Sequence, residues 1–70
     1  MDEYTINMAW DGEAYIWYAA CDEIPIALES DSFDRLIERV KEAAPELLQL
    51  NGKPSACVLR FVTERRDNVA

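Results

Sequence analysis

The segment Tyr4–Cys21, YTINMAWDGEAYIWYAAC, places two strand patterns on either side of a turn. Over residues 4–10, large apolar side chains alternate with smaller or polar ones, which is typical of a strand with one buried face. Asp11 and Gly12 then predict a tight turn in which the glycine takes a positive φ. The aromatic run 14–21 predicts a second strand, so the two strands form a hairpin.

A short third strand and a helix are predicted after the hairpin. Pro25 interrupts the chain, since it has no N–H to give to a strand ladder, and residues 26–29 follow as the third strand. Residues 30–32, Ser-Asp-Ser, offer acceptors for the first helical N–H groups. A helix then follows with an apolar stripe at spacings of three and four residues, formed by Phe33, Leu36, Ile37, Val40, Ala44, Leu47 and Leu48.

Pro45 lies inside this helical pattern and predicts an interruption. Proline cannot donate to the carbonyl of Lys41 and clashes with it, so we expect a stop or kink near Ala44 and a short helical turn over residues 45–50. The pair Asn51–Gly52 predicts a left-handed C-terminal cap.

Residues 55–63 predict a fourth strand that is apolar on both faces, as in a central strand or one covered by an interface. The polar tail 64–70 is predicted to be disordered. A chain of 70 residues leaves room for one domain only, which we expect to span 1–70 with a core over 4–63. The predicted class is α+β, a two-layer β-β-β-α-β domain with one amphipathic helix on one face of a four-stranded mixed sheet.

The charge is distributed unevenly along the chain. The net charge is −7, but residues 1–34 contain nine acids and no base, whereas residues 35–70 contain seven bases and five acids. Phosphates are repelled by the acidic half, and its aromatic residues Tyr15, Trp17 and Tyr18 lie among acids without basic neighbours, so we expect no direct nucleic-acid binding. A basic protein fits better, and the alternative is an acidic surface that only maintains solubility. The candidate acidic partner surface consists of Asp11, Glu13, Asp22 and Glu23.

The cysteines and the apolar runs predict neither a cofactor nor a membrane segment. The chain has no histidine, and Cys21 and Cys57 are far apart in sequence. Zinc sites need clustered ligands, so we interpret both cysteines as buried free thiols. No apolar run approaches the roughly 18 residues of a membrane span. The start, Met1-Asp2-Glu3, is acidic where a secretory signal is basic, so we expect a cytoplasmic protein.

Self-association is predicted from the two-faced apolar strands. One helix can cover only one face of the sheet, yet the second and fourth strands are apolar on both faces. We therefore expect a homo-oligomer, with a dimer favoured, formed through the uncovered sheet face or an edge strand. The candidate contacts are Ile16, Tyr18, Val58 and Val62.

Over residues 4–50 the sequence resembles the HicB-like antitoxin superfamily, and most closely a small branch known only as a domain of unknown function. Ile26 stands where the superfamily has a glycine after the proline, so this corner is expected to turn differently. Ser32 stands where the superfamily favours a threonine cap. The matching segments are 10–14, 16–19, 22–25, 29–33 and the helix from 36 to 48.

The resemblance implies a degraded ribonuclease H fold with the fourth strand beside and parallel to the first. In HicB systems the N-terminal domain binds a small basic RNase toxin and covers its active site, while a C-terminal segment binds DNA. The chain ends before such a segment, so we expect toxin binding but not operator binding to carry over. The alternative is a stand-alone oligomeric domain that binds an unrelated protein or a small ligand.

Catalysis is not expected. Ribonuclease H chemistry needs several carboxylates around two metal ions, one of them from the first strand. That strand instead has Thr5 and Asn7 at its polar positions, and the acids near the turns are interpreted as shaping loops. Serine and cysteine nucleophiles would lack a histidine base, so the sequence predicts a non-catalytic domain.

Overall fold

A computed structural model describes all residues, 1–70, in the order β-β-β-α-β. The elements are β1 (Asp2–Asp11), β2 (Ile16–Ala20), β3 (Ala27–Ser30), α1 (Phe33–Leu50) and β4 (Cys57–Glu64). The strand order in the sheet is β3-β2-β1-β4. β1 and β3 each pair antiparallel with β2, and β4 pairs parallel with β1. The predicted α+β fold, with one helix and a four-stranded mixed sheet, is confirmed.

The core lies between α1 and one face of the sheet. Alternation along β1 turns Tyr4, Ile6 and Met8 towards the helix, and all three are buried. The neighbouring strands contribute side chains at the same level, since Met8 pairs with Ala19 and Ile6 pairs with Phe61. The complete buried core is Tyr4, Ile6, Met8, Ala19, Ile24, Ile26, Leu36, Val40, Ala44 and Leu48.

α1 begins at the predicted cap. The Ser32 Oγ accepts a hydrogen bond from the Arg35 N–H at 3.3 Å, and Asp34 lies in the first turn, where the helix dipole favours a carboxylate. The buried helical residues recur every four positions and form the stripe that packs on the sheet, namely Leu36, Val40, Ala44 and Leu48.

The predicted interruption at Pro45 is wrong, because α1 continues through this residue to Leu50. Proline removes the hydrogen bond to the Lys41 carbonyl and crowds that oxygen, but Lys41 is exposed and Pro45 only half-buried, so the disturbance lies outside the buried stripe of the helix. Ala44 and Leu48, on either side of the proline, are both buried against the sheet. Their packing favours one continuous helix over a break.

The predicted C-terminal cap is confirmed. Asn51 follows the last helical residue, and Gly52 takes the left-handed conformation with φ of 70°. The Gly52 N–H donates to the Gln49 carbonyl at 3.0 Å, and the Lys53 N–H donates to the Leu48 carbonyl at 2.9 Å. Glycine suits this position because a side chain is disfavoured at positive φ.

The corner before β3 turns tightly around Pro25. The Ile26 N–H donates to the Ile24 carbonyl at 2.7 Å, closing a three-residue turn. Both isoleucines are buried in the core. Ile26 therefore fills space between the sheet and the helix.

The β1–β2 loop differs from the predicted tight turn. β2 begins at Ile16, and the residue with positive φ is Tyr15, at 54°, rather than Gly12. The Asp11 Oδ1 accepts hydrogen bonds from the N–H groups of Glu13 and Ala14, at 2.9 and 3.3 Å. These bonds stabilise a longer loop, so the Asp-Gly pair does not form a two-residue hairpin turn.

β4 is an edge strand, so the prediction of a central strand is wrong, and the alternative that an interface covers it stays a prediction. α1 covers the strand incompletely. Leu59 and Phe61 are only half-buried and line a groove of about 400 Å³ together with Lys41 and Pro45 of the helix. Glu64 belongs to β4, and residues 65–70 have no regular secondary structure.

The buried face of α1 can be tested with one substitution at two positions. Leu36→Ala removes a side chain with 0% exposure, so we expect the free energy of unfolding to fall by about 2–5 kcal/mol. Leu50→Ala is the matched control, because Leu50 is 82% exposed, and its effect should stay within about 0.5 kcal/mol. Urea denaturation followed by circular dichroism measures both. Equal losses would contradict the orientation of the helix.

Candidate functional site

The face of the sheet opposite α1, which we call the open face, is the candidate site. No helix packs on it, and strand alternation together with the pairing registers defines its members. They are Glu3, Thr5, Asn7, Ala9 and Asp11 of β1, Ile16, Tyr18 and Ala20 of β2, Ala27 and Glu29 of β3, and Val58, Arg60, Val62 and Glu64 of β4.

The structure places all four predicted contact residues on the open face. Tyr18, Val58 and Val62 are 40%, 45% and 37% exposed, and Ile16 is half-buried. Val58 and Val62 lie on β4, whereas Ile16 and Tyr18 lie on β2, so β1 separates the two pairs. Their role as contacts stays a prediction.

The centre of the open face carries no charge, and its edges carry carboxylates. One row across all four strands contains Val62, Asn7, Ala20 and Ala27. The next row contains Glu64, Ala9, Tyr18 and Glu29, so that a glutamate lies at each edge of the sheet. The open face is thus about half apolar, with Glu29 at its β3 edge and both Arg60 and Glu64 at its β4 edge.

The structure does not bring the four predicted acids together. Asp11 and Glu13 lie at the β1–β2 loop, whereas Asp22 and Glu23 follow β2 at the other end of the sheet. The five residues of β2 separate the two pairs. At about 3.3 Å per residue they lie roughly 15 Å or more apart.

Sequence reasoning missed three acids that do lie on the open face, Glu3, Glu29 and Glu64. Period-two alternation could have found them, because each lies two residues from another open-face residue on its strand. Arg60 is the one base on this face. The open face therefore has a negative balance of its own.

Asp11 and Tyr18 are linked at the loop end of the open face. The Tyr18 hydroxyl donates to the Asp11 Oδ2 at 3.2 Å, while Oδ1 accepts the hydrogen bonds from the N–H groups of the β1–β2 loop. The backbone N–H groups of Glu13 and Ala14 stabilise the ionised carboxylate and lower the pKa of Asp11. The hydrogen bond from the Tyr18 hydroxyl to Asp11 raises the pKa of Tyr18. Asp11 thus fixes the loop and orients Tyr18.

Four aromatic rings form a row on the helix side of the sheet, next to the β1–β2 loop. In order they are Tyr15, Trp10, Trp17 and Phe33, with successive ring centroids 6.2, 5.2 and 4.7 Å apart. The Arg65 guanidinium lies 4.4 Å from the Trp10 centroid and 5.9 Å from that of Trp17. We call these four rings the aromatic row.

The expectation that these aromatic residues lack a basic neighbour is therefore wrong. Parallel pairing of β4 with β1 places Glu64 beside Ala9, so the next residue, Arg65, reaches Trp10. The two residues are distant in sequence, and only the strand register reveals their contact.

The remaining candidate chemistry concerns cysteines and acids. Cys21 and Cys57 are free thiols and are half-buried rather than fully buried. No group of three or more Cys, Asp or Glu side chains is arranged to hold a metal ion. The structure contains no helix with both the length and the apolar character that a membrane span needs.

Comparisons with known proteins give one family and one solved structure. The sequence model of the family described as a domain of unknown function, DUF1902, matches residues 3–70. The crystal structure of hypothetical protein TTHA1013 from the extremely thermophilic bacterium Thermus thermophilus is similar, with a TM-score of 0.72 and 28% identity over 97% of each chain. No curated protein sequence matches the chain significantly.

The Asp11 hydrogen bonds predict a pH dependence of stability. Its pKa is lowered in the folded state, so its contribution is present above the ordinary Asp pKa of about 4 and is lost as the pH falls through the native value. Asp11→Asn keeps an acceptor oxygen but cannot ionise. Its free energy of unfolding should therefore fall less than that of the wild type between about pH 5 and pH 2.

Asp22→Asn is the control for this measurement, because Asp22 is exposed and its carboxylate accepts no hydrogen bond. We expect this variant to keep the wild-type pH dependence in urea denaturation. Identical profiles for Asp11→Asn and the wild type would contradict the role of Asp11.

Proposed function

This chain belongs to the family DUF1902, a domain of unknown function, and we propose that it is a non-catalytic module that binds a small basic protein through its open face. The observation that carries the proposal is the uncovered sheet face, which has an uncharged centre, a glutamate at each edge and exposed apolar side chains at Tyr18, Val58 and Val62. Exposed apolar surface rimmed by charge is typical of protein-interaction sites.

The charge of the chain supports a basic partner. The first 34 residues, which form β1, β2 and β3, contain nine acids and no base. Complementary charge accelerates association with a cationic protein and disfavours acidic competitors. Arg60, the one base on the open face, lies on β4 opposite Thr5. The β2–β3 side of the open face therefore carries no positive charge.

The resemblance to HicB-like antitoxins gives this partner a chemical identity. Membership of a family known as a domain of unknown function agrees with the predicted branch. By analogy with HicB systems, we propose that the partner is a small basic toxin-like RNase whose active site this domain covers. The matching order of strands and helix supports this analogy.

A non-catalytic role in the cytoplasm fits the chemistry that the chain contains. The sequence has no histidine, and the middle of β1 has Thr5 and Asn7 on its open side, with carboxylates only near the ends of the strand, at Glu3 and Asp11. Cys21 and Cys57 are unpaired, as expected for a protein in a reducing compartment. We therefore propose a cytoplasmic protein without a cofactor, membrane contact or direct contact with nucleic acid.

A second candidate function is that of a stand-alone oligomeric domain, and the edge position of β4 favours it. This strand of eight residues pairs with β1 on one side only, while Val58 and Val62 are exposed on the open face. An unpaired edge with apolar side chains is suited to pairing with a second copy. A genome without a toxin-like neighbouring gene would favour this function over the first.

The charges on β4 select a register for such a dimer. An antiparallel pair centred on Arg60 would place two like charges opposite each other, which is unfavourable. Centring the pair on Val62 instead brings Arg60 opposite Glu64 of the second copy. In this register the open faces of the two copies lie on the same side of the joined sheet. The second register therefore gives two ion pairs beside an apolar contact.

Binding of the basic partner can be tested by charge reversal. In complexes with the product of the adjacent small open reading frame, Glu29→Lys together with Glu64→Lys should raise Kd by about tenfold or more, because positive charge then faces a positive partner. Isothermal titration calorimetry on co-expressed, separated proteins measures the effect.

Glu42→Lys together with Glu46→Lys is the matched control, since both residues lie on the exposed side of α1 and the change in net charge is the same. We expect this control to bind nearly as the wild type does. The proposal fails if the wild type forms no complex, or if the two double variants lose affinity equally.

Self-association is tested by light scattering coupled to size exclusion at micromolar concentration. We expect the wild type to have twice the 8.0 kDa mass of the chain and Val62→Asp to have the single mass. Val69→Asp is the control, because Val69 lies in the tail and is 92% exposed, and it should remain a dimer. A monomeric wild type would exclude the oligomeric function.

A further inference from the structure

We propose that the aromatic row is a binding site for an arginine side chain of the protein partner, and that Arg65 occupies this site until the partner's arginine displaces it. The inference rests on the proposed function, because it requires a basic protein partner. It adds a second point of contact, on the helix side of the sheet and outside the open face.

The first support is that the row already holds a guanidinium. The Arg65 group lies 4.4 Å from the centroid of Trp10 and within 5.9 Å of that of Trp17, both within the range of a cation–π contact. Tryptophan is the aromatic side chain that binds cations best, and a planar guanidinium stacks on it with more contact than an ammonium group. The site is therefore selective for arginine over lysine.

The second support is the conformation of Tyr15 at the exposed end of the row. Its φ of 54° is left-handed, which is uncommon for a bulky side chain, and its side chain is 72% exposed. Burial in the core therefore does not explain why a tyrosine stands here. The loop conformation, stabilised by Asp11, places the Tyr15 ring 6.2 Å from the Trp10 ring and extends the aromatic surface towards solvent.

The third support is the charge around the rings. All four rings come from residues 10–33, a part of the chain that contains acids but no base. The row therefore lies in a segment that attracts cations, and its guanidinium must come from another part of the chain or from another protein.

Arg65 is held loosely enough to be replaced. It lies beyond the end of β4, and its only ion pair is to Asp67, with Nε 3.0 Å from Oδ2 and both side chains about half exposed, at 48% and 56%. Such exposed pairs contribute little. An arginine on a protein that also contacts the open face can therefore compete, and removal of Arg65 should improve its binding by about two- to fivefold.

Tryptophan fluorescence tests the proposal directly, because Trp10 and Trp17 are the only two tryptophans. The full chain and its Arg65→Ala and Arg66→Ala variants are titrated with a hexa-arginine peptide and with the same peptide in which citrulline replaces arginine. Arg66→Ala changes the net charge equally at the neighbouring position, so it controls for the general attraction of cations.

We expect the arginine peptide to change the fluorescence and to bind Arg65→Ala about two- to fivefold more tightly than Arg66→Ala, while the citrulline peptide has no effect. Equal affinities for the two variants, or an equal response to citrulline, would overturn the proposal. The peptide experiment does not need the natural partner, so the two proposals can fail separately. If the peptide binds as expected but no partner complex forms, only the proposed function is contradicted. A partner complex without a peptide response contradicts only the arginine site.

Discussion

One helix can cover only one face of a four-stranded sheet, and the surfaces of this protein follow from that constraint. α1 buries the alternate side chains of β1, which leaves the opposite alternate set on the open face. The chain has only this one helix, and its apolar stripe packs on the other face of the sheet. No second layer therefore covers Val58, Val62 and Tyr18. A domain of this size therefore folds around a half-covered sheet, and its exposed apolar residues are available for another protein.

The pairing of β4 with β1 determines both proposed contacts. It places Val58 and Val62 at one edge of the open face and Glu64 beside the uncharged row. It also carries the chain to Arg65, which stacks on Trp10 on the other side of the sheet. A single parallel strand thus links the open face to the aromatic row, so a partner that reaches around the β4 edge could contact both.

Local patterns in the sequence predicted most of the fold, including the Ser32 cap, the left-handed Gly52 and the apolar stripe of α1. The errors arose where tertiary contacts or loop hydrogen bonds override local preference. Packing of the buried helical face keeps α1 continuous through Pro45, and Asp11 favours a longer loop than the Asp-Gly pair indicates.

The candidate site was predictable only where alternation within one strand defines a face. The four candidate apolar contacts share one face of the sheet, whereas the acids were chosen by their position near turns and lie at opposite ends of β2. The contact between Arg65 and Trp10 depends on the pairing of β1 with β4, at the two ends of the chain.

Binding of a protein through the open face is tested most directly by site-specific photo-crosslinking in living cells, with benzoylphenylalanine at Tyr18 on the open face or at Leu50 as an exposed control. We expect a discrete protein adduct from position 18 and none from position 50, whereas no adduct from position 18, or the same adduct from both, would contradict binding through the open face.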